Sequence, residues 1–518
     1  MGRTELKFAI SRMATFPNEI LRLIFEYVYL LAYGDNPDED EDLTWSPYFI
    51  FVVCKQWREV AQSLPLYARR VMIYVDEPFS IPELENQIAL SKPMRMKFFV
   101  VRKNYDSRES PPLLIFDSLE DEERQLNQRR MEDLSPVPPT DPLEKSRIEE
   151  LIVLLTHHIL RCQVVVFDLL LRSSLPCLSH FCGYAARLRT LRLKSRVVDS
   201  MNHDPPLRST DLRTFICSGL RYLDLDGAIF ARAAQIPGWL DSMQSLPGKS
   251  LTISNFFSGD YGAFDLYDLL CAVSMEKMGH LTSLKLCNIH LHTERCHQLE
   301  SVLIFAQNLE FVDLPRSVLA GFFAAQSNYI KVNFITIREC DLTSTDPFVS
   351  WELALFDIDE TEDLTNFVRN WDGFSLRFEN CLGVNDTLLK MMMEWETNDE
   401  YYVPSCRQIS ISPFEKISAQ ALKDLVVARE QLAERPMSLM HCIAPKYYPM
   451  FAVSLTGTGP PLSLSDKEWF NKRLNSFVWY TPNAGFESPK IEDDFADWDT
   501  LPEVRHYVPP CDVAFLLC

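Results

Sequence analysis

The sequence predicts an α/β protein in which a small helical region precedes a long solenoid of strand–helix repeats. Two observations lead to this prediction. Residues 17–61 contain two stretches with apolar residues at helical spacing, and from about residue 180 one leucine-containing strand pattern returns many times between helical patterns. A strand with one apolar face and a helix behind it cannot bury that face alone, so successive units are expected to stack on one another.

The composition excludes several classes of protein. At 518 residues the chain is too long for one compact core, and with 47% apolar and 24% charged residues it is a folded protein rather than a disordered one. The net charge of −21 opposes phosphate backbones and anionic lipids, so we expect neither a nucleic-acid nor a membrane partner. The most apolar stretch, residues 151–171, is interrupted by His157, His158, Arg161 and Asp168, which makes a bilayer-spanning segment unfavourable.

The cysteines indicate a reducing compartment. Fourteen of them are scattered along a chain in which we recognise no secretory leader, and we expect reduced thiols that pack as small apolar side chains. The predicted location is therefore the cytoplasm, the nucleus or both.

The first predicted helix covers residues 17–32, with Pro17 and Glu19 at its amino end. Its apolar residues are Ile20, Leu21, Ile24, Phe25, Val28, Leu31 and Ala32. The second predicted helix repeats the same offsets at Phe49, Ile50, Val53, Cys54, Trp57, Val60 and Ala61. Residues 34–42 between them hold six acids and no base, which is typical of a solvated loop. Both helices are apolar on more than one side, and the second side covers either the core of a larger domain or a partner protein.

A polar stretch at residues 104–146, with an acidic run at 120–123 and a cluster of prolines, is predicted to be a linker or a long insertion.

The repeat pattern is an apolar pair at alternate positions, preceded three residues earlier by another apolar residue. The copies are Leu188, Leu191 and Leu193; Leu220, Leu223 and Leu225; Leu281, Leu284 and Leu286; and, more weakly, Leu309, Val312 and Leu314, and Val332, Ile335 and Ile337. The steps from 191 to 223, from 284 to 312 and from 312 to 335 are 32, 28 and 23 residues, which are leucine-rich-repeat periods, although irregular ones. Helical patterns at residues 299–306, 388–395 and 422–426 lie between strands. An ordinary α/β domain would also alternate strand and helix, but the recurrent spacing favours the solenoid.

Several segments of the chain resemble the F-box family. They are Phe16-Pro17-Asn18-Glu19-Ile20-Leu21, Ile24-Phe25-Glu26-Tyr27-Val28, Val53-Cys54-Lys55-Gln56-Trp57-Arg58-Glu59-Val60-Ala61 and Leu64-Pro65-Leu66-Tyr67. Phe16 replaces the usual leucine, Tyr67 replaces the usual tryptophan, and the acidic stretch is an insertion between the helices. Residues 92–101 and 157–171 look like the F-box and leucine-rich-repeat proteins that are abundant in mushroom-forming fungi.

The resemblance implies a helical F-box at residues 12–75, a linker and helical/strand region that leads into the repeats at 76–179, a leucine-rich-repeat solenoid at 180–435 and a C-terminal cap or tail at 436–518. In this family the F-box docks on a Skp-family adaptor, which connects it to a cullin, while the repeats hold a protein substrate. The residues that the resemblance assigns to adaptor binding are Phe16, Pro17, Glu19, Ile20, Leu21, Ile24, Phe25, Tyr27, Val53, Cys54 and Trp57. The chain would then be a non-catalytic substrate receptor of a ubiquitin ligase. The alternative is a leucine-rich-repeat scaffold or binding protein that acts outside the ligase.

Three clusters were weighed as metal or catalytic sites. Cys177, His180 and Cys182 are close in sequence, as are His290, His292, Cys296 and His297, but neither group has the paired ligand spacing of a zinc site. The pair His157-His158 lies in an apolar helical pattern, where a partly buried histidine is ordinary. Cys296 beside His297 is the only local candidate for a catalytic cysteine. We expect no metal, no cofactor and no catalytic residue.

Overall fold

A computed structural model describes the chain at residues 16–33, 50, 53–91, 94–102, 142–181, 183–199, 215–236, 238–240, 243, 248–260, 262–298, 302–325, 332–343, 345, 347–358, 361–393, 403, 405–433 and 449–481. The chain forms two compact units, Met1–Asn255 and Phe256–Cys518. Each is an α/β unit with a parallel sheet and helices.

The described part of the first unit opens with helices and continues as alternating strands and helices. Its elements are α1 (Asn18–Tyr33), α2 (Lys55–Ser63), α3 (Pro65–Ala68), β1 (Arg70–Tyr74), α4 (Ile81–Leu90), β2 (Met96–Val101), α5 (Pro142–His158), β3 (Cys162–Leu171), β4 (Gly183–Tyr184), β5 (Thr190–Val197), β6 (Phe215–Ile216), β7 (Tyr222–Asp226), α6 (Gly227–Ala234) and β8 (Lys249–Phe257). Short 3-10 helices lie at Ile159–Arg161, Arg172–Ser174 and Leu178–His180. The boundary between the two units falls within β8.

The second unit repeats the strand–helix alternation. Its elements are α7 (Leu266–Val273), α8 (Met275–Met278), β9 (Leu281–His290), β10 (Ala306–Val312), α9 (Arg316–Ala325), β11 (Val332–Arg338), β12 (Phe348–Phe356), α10 (Thr361–Arg369), β13 (Trp371–Asp372), β14 (Ser375–Glu379), α11 (Asp386–Met391), β15 (Gln408–Ser412), α12 (Ala419–Ala433), β16 (Ala452–Thr456), α13 (Leu464–Arg473) and β17 (Ser476–Tyr480). A 3-10 helix follows β9 at Glu294–Gln298.

Strand register in the first unit places the apolar residues in two buried rows. The strands pair in parallel in the order β1, β2, β3, β5, β7 and β8, while β4 pairs with β6 in a separate two-stranded sheet. The first row is Val71, Phe98, Val165, Leu191, Leu223 and Leu251, and the second is Ile73, Val100, Phe167, Leu193, Leu225 and Ile253. All are buried, because side chains two apart on a strand lie on the same face of the sheet.

The second unit has the same arrangement over β9, β10, β11, β12, β14, β15, β16 and β17. The first buried row is Leu284, Leu309, Ile335, Leu353, Leu376, Ile409 and Val453, and the second is Leu286, Phe311, Ile337, Leu355, Phe378, Ile411 and Leu455. The predicted fold class is therefore confirmed in its coarse form, an α/β protein with long parallel sheets and helices.

A left-handed residue follows the buried rows in successive strands of the second unit. Asn288, Asp313, Glu339, Asp357 and Asn380 have φ between 51° and 56°. The amide N–H groups of Asp313, Glu339 and Asp357 still donate to the next strand, at 3.0, 3.1 and 2.9 Å. The residue after each left-handed position is buried: Ile289, Leu314, Cys340, Ile358 and Cys381. Each strand therefore bends at the same point and sends one more side chain into the core.

The register corrects one predicted copy of the repeat. Leu309, not Val312, lies opposite Leu284, because Leu309 pairs with Leu284 and Phe311 pairs with Leu286. The steps from Leu284 to Leu309 and from Leu309 to Ile335 are 25 and 26 residues, so the repeat is more regular than the sequence pattern indicated. The error arose because Leu309 stands three residues before Val312 and so matched the leading position of the pattern instead of its first strand position.

Two predicted helices are wrong in part. Residues 302–305 are irregular and Ala306 opens β10, so the described part of the pattern at 299–306 is not helical. Ile50 and Val53 are helical as predicted, but Cys54 has extended backbone with φ −159° and ψ 170°, so it interrupts the second predicted helix and α2 begins at Lys55. The Cys54 side chain accepts a hydrogen bond from the Trp57 amide and caps that helix, which a pattern of apolar spacings cannot show.

Strands that pair in the parallel sheets also lie outside residues 180–435. In the first unit, β1, β2 and β3 precede residue 180, and in the second unit β16 and β17 follow residue 435. Residues 142–146 of the predicted linker are the start of α5, since Pro142 is tolerated in a first helical turn. Residues 103–141 and the acidic stretch at 34–42 lie outside the described part of the chain.

An ion pair joins the segments on either side of residues 103–141. Arg102 Nη1 lies 2.8 Å from Glu144 Oε2, and the Glu144 side chain is fully buried. Glu144 also accepts hydrogen bonds from the amides of Leu170 and Leu171 at 3.2 and 3.0 Å. This carboxylate therefore ties the start of α5 to the end of β2 and to β3.

Candidate functional site

The helices α1, α2 and α3 of the first unit pack around a small apolar core. Its buried members are Leu21, Phe25, Tyr29, Ile50, Trp57, Val60, Ala61, Leu64 and Tyr67. Phe25 and Trp57 meet edge to face with ring centroids 5.1 Å apart, and Tyr29 and Tyr67 do so at 5.2 Å. These aromatic pairs contribute beyond their buried area because the ring edge of one faces the negative ring face of the other.

Polar contacts fix the helices relative to one another. The Tyr67 hydroxyl donates a buried hydrogen bond to the Phe25 carbonyl at 2.8 Å, joining α3 to α1. Gln56 Nε2 on α2 donates to the Phe16 carbonyl at 3.1 Å and to Asn18 Oδ1 at 2.9 Å, so α2 holds the residues at which α1 begins. The hydroxyl of Tyr67 thus has a structural partner.

The opposite side of α1 presents large apolar side chains to solvent. Ile20, Leu23 and Tyr27 are 42%, 62% and 63% exposed, and Phe16, just before the helix, is 39% exposed. Spacings of three and four residues place Ile20, Leu23 and Tyr27 on one side of a helix. We call Phe16, Ile20, Leu23 and Tyr27 the α1 stripe.

Charged residues alternate with the α1 stripe along α1, and α2 carries an exposed charged pair as well. Glu19, Arg22 and Glu26 on α1 are exposed. Lys55 and Glu59 on α2 are 87% and 61% exposed and 3.7 Å apart, a surface pair of little energetic value. An apolar strip bordered by exposed charges is typical of a surface that binds another protein.

The structure separates the predicted site residues into three groups. Leu21, Phe25 and Trp57 belong to the buried core, whereas Phe16, Pro17, Glu19, Ile20 and Tyr27 are exposed. Ile24, Val53 and Cys54 are partly buried and pack against the core.

Leu23 is a fourth large apolar member of the exposed side, and it was not among the predicted residues. Its spacing from Ile20 and Tyr27 was the signal that could have found it, since a helix face of three- and four-residue steps runs through all three. The family motif does not include this position.

The described members of the candidate metal clusters have other partners. Cys177 Sγ lies 3.0 Å from Arg232 Nη1, and His180 Nδ1 accepts from the Cys177 amide at 3.2 Å, while Cys182 lies outside the described residues. His290 stacks on Phe257 with centroids 5.1 Å apart and bonds Asn288 Oδ1 at 3.0 Å. Within the described ranges, no three histidine, cysteine or carboxylate side chains are placed to share a metal ion.

The candidate nucleophile Cys296 is unsuited to the role. Its side chain is buried, and burial raises the pKa of the Cys296 thiol to about 11. The thiolate is the reactive form, so burial holds this sulfur in its unreactive protonated state at neutral pH.

His157 contacts the Val153 carbonyl through Nδ1 at 2.7 Å, as expected of a histidine near the end of a helix.

Every described cysteine is a free thiol. None of the described helices combines the length and the apolarity that a bilayer crossing requires. No protein-family model matches the chain, and no curated protein matches it significantly.

Proposed function

We propose that the protein is a substrate-recognition subunit of a Skp–cullin–F-box ubiquitin ligase of the cytoplasm or nucleus. In this proposal α1, α2 and α3 form an F-box, and the strand–helix repeats form a leucine-rich-repeat solenoid. The receptor performs no chemistry. It raises the effective concentration of a substrate lysine near the charged ubiquitin-conjugating enzyme, which is where its rate enhancement arises.

The observation that carries the proposal is the α1 stripe. The F-box motif residues divide into a core, which includes Phe25 and Trp57, and an exposed side with Ile20 and Tyr27. A helix of a free-standing domain buries its apolar side, so an exposed run of four large apolar residues favours a partner that covers it. The motif resemblance supplies the identity of that partner, a Skp-family adaptor.

The strand–helix repeats support the proposal that this protein binds a substrate protein. In each unit the parallel strands place their apolar rows on one side, as leucine-rich repeats do. The other side of the strands carries polar and charged side chains, including Lys285 and Glu310, which form an ion pair at 2.6 Å on adjoining strands. Such a face is suited to binding a protein substrate rather than a small molecule.

The proposal predicts that Leu23→Asp strongly weakens adaptor binding and leaves the fold intact. Leu23 is 62% exposed and is not part of the core of the three helices, so a charge there meets water in the free protein but a desolvated surface in the complex. A central interface residue of this kind is expected to weaken binding about thirtyfold or more. Titration of the full chain with a purified Skp-family adaptor measures the change.

The matched control is Leu464→Asp, which places the same charge at an 81% exposed leucine on α13. It should bind the adaptor like the unchanged protein. Ile24→Asp is a poorer probe, because Ile24 packs against the core and its loss would also unfold the helices. Equal adaptor affinity for Leu23→Asp and Leu464→Asp would contradict the proposal. Adaptor binding without recovery of a cullin in the same complex would instead favour a scaffold outside the ligase.

A further inference from the structure

Strand β5 of the first unit is strongly basic in an acidic protein. Residues 187–196 hold five bases, Arg187, Arg189, Arg192, Lys194 and Arg196, and no acid, although the net charge of the chain is −21. The basic side chains of β5 are not part of the buried core of the first unit. Leu191 and Leu193, which alternate with the bases, occupy the two buried rows and are fully buried.

The bases of the strand itself lie on the face opposite to the buried rows. The side chains of Arg192, Lys194 and Arg196 are 26%, 37% and 31% exposed. Alternate residues on a strand are spaced by about 6.8 Å, so these three cations form a line along β5.

Two carboxylates on adjoining strands face this line. Asp224 Oδ2 on β7 lies 3.0 Å from both Arg192 Nε and Lys194 Nζ. Asp168 Oδ1 on β3 lies 3.4 Å from Arg196 Nε. Arg192 and Lys194 therefore share one carboxylate, through a single oxygen. This part of the line keeps an excess of positive charge.

We propose that this line of bases on β5 binds an extended acidic segment of a protein partner. An extended polypeptide that lies along the strand presents alternate side chains at the same spacing of about 6.8 Å, so its carboxylates can meet successive bases. Guanidinium groups suit this role because their planar donors match the two oxygens of a carboxylate.

The charge of the rest of the molecule separates an acidic peptide from a nucleic acid. Charges on the surface act over about 10 Å at moderate salt, so a short peptide on β5 meets mainly the local positive field. A nucleic acid carries its charges over a longer path and meets the surface of a protein whose net charge is −21. The inference rests on the proposed function, in which this acidic segment belongs to the substrate.

The test is fluorescence anisotropy of the full chain with a labelled poly-glutamate peptide, a poly-glutamine peptide of the same length and a thymidine oligonucleotide. Poly-glutamate should bind and weaken as salt rises, while poly-glutamine should not bind. The double variant Lys194→Gln, Arg196→Gln removes two ion pairs at sites that do not face the core, and is expected to weaken poly-glutamate binding about tenfold. Lys467→Gln on α13, an exposed lysine outside the line, should change nothing.

A second variant tests the proposal even if the double variant fails to fold. Thr252→Lys adds a base on β8 opposite Asp224, and it should tighten poly-glutamate binding. Equal binding by the unchanged protein and the double variant, or tighter binding of the oligonucleotide than of poly-glutamate, overturns the inference. Adaptor titration of the double variant separates the two proposals, because it should bind the adaptor normally even when the acidic peptide is lost.

Discussion

Replacement of Asp226 by alanine should cost the first unit about 3–5 kcal/mol of stability at neutral pH, because it removes the carboxyl oxygens that accept the hydrogen bond of the buried Arg172 guanidinium. Arg172 Nε lies 3.0 Å from Asp226 Oδ1, and both side chains are fully buried. Arg172 also donates to the carbonyl of Asn255, which has a left-handed backbone with φ 55°. One ion pair thus connects the ends of β3 and β7 to β8.

Asp226 has two further roles that alanine would remove. Its carboxylate accepts from the Ala228 amide at 3.1 Å, which caps the amino end of α6, and from the Ser195 hydroxyl at 3.1 Å. A buried carboxylate with three kinds of donor around it cannot be replaced by water without opening the structure.

Hydrogen exchange of β5 and β7, together with denaturant unfolding, measures the loss. The control is Asp168→Ala, since Asp168 is 27% exposed and its pair with Arg196 at 3.4 Å is a surface contact expected to contribute under about 1 kcal/mol. A double change, Arg172→Met with Asp226→Leu, should recover most of the loss because it removes both charges together. If Asp226→Ala costs no more than Asp168→Ala, the pair does not hold the strands.

The contribution of Asp226 to the stability of the folded protein depends on pH. Burial raises the pKa of Asp226 from 3.8 to about 6, against the opposing effect of Arg172. The folded state therefore binds this proton more tightly than the unfolded state, so the contribution of the group is greatest below about pH 4 and is lost as the pH rises through 6. The unchanged protein should gain stability relative to Asp226→Asn as the pH falls from 7 to 4.

The sequence could predict the strand pattern because burial on one side of a strand imposes a spacing of two. Leu191 with Leu193 and Leu284 with Leu286 were found in this way, and the structure places both pairs in the buried rows. The pair Leu309 and Phe311 was missed because Leu309 also stands three residues before Val312, so the spacing alone allowed two registers.

The contacts that fix the ends of the elements could not be predicted from spacing. The Cys54 cap, the link between Arg102 and Glu144 and the pair of Arg172 with Asp226 each join residues through a side-chain geometry that apolar periodicity does not encode. For the same reason the motif could not divide its own residues into core and surface. Phe25 and Leu23 are two residues apart on α1, yet the first is fully buried and the second is 62% exposed.

The difference in burial between Phe25 and Leu23 leads to a second prediction with a large effect on stability. Phe25→Ala should cost the three-helix core about 3–5 kcal/mol, because it removes a fully buried ring and leaves a cavity beside Trp57. The carbonyl of Phe25 would keep its hydrogen bond from Tyr67 only if α1 stayed in place. Hydrogen exchange of α1 and α2 measures the loss.

Phe25→Ala and Leu23→Asp should therefore both lose the adaptor, but for different reasons. In Phe25→Ala the loss of binding should accompany faster exchange throughout α1 and α2, and a saturating excess of adaptor should restore part of the protection, since binding stabilises the folded form. In Leu23→Asp exchange should match the unchanged protein, and excess adaptor should have little effect on it. If Phe25→Ala left exchange unchanged and still lost the adaptor, Phe25 would act at the interface instead of in the core, and the division of the motif into a core and an exposed stripe would be wrong.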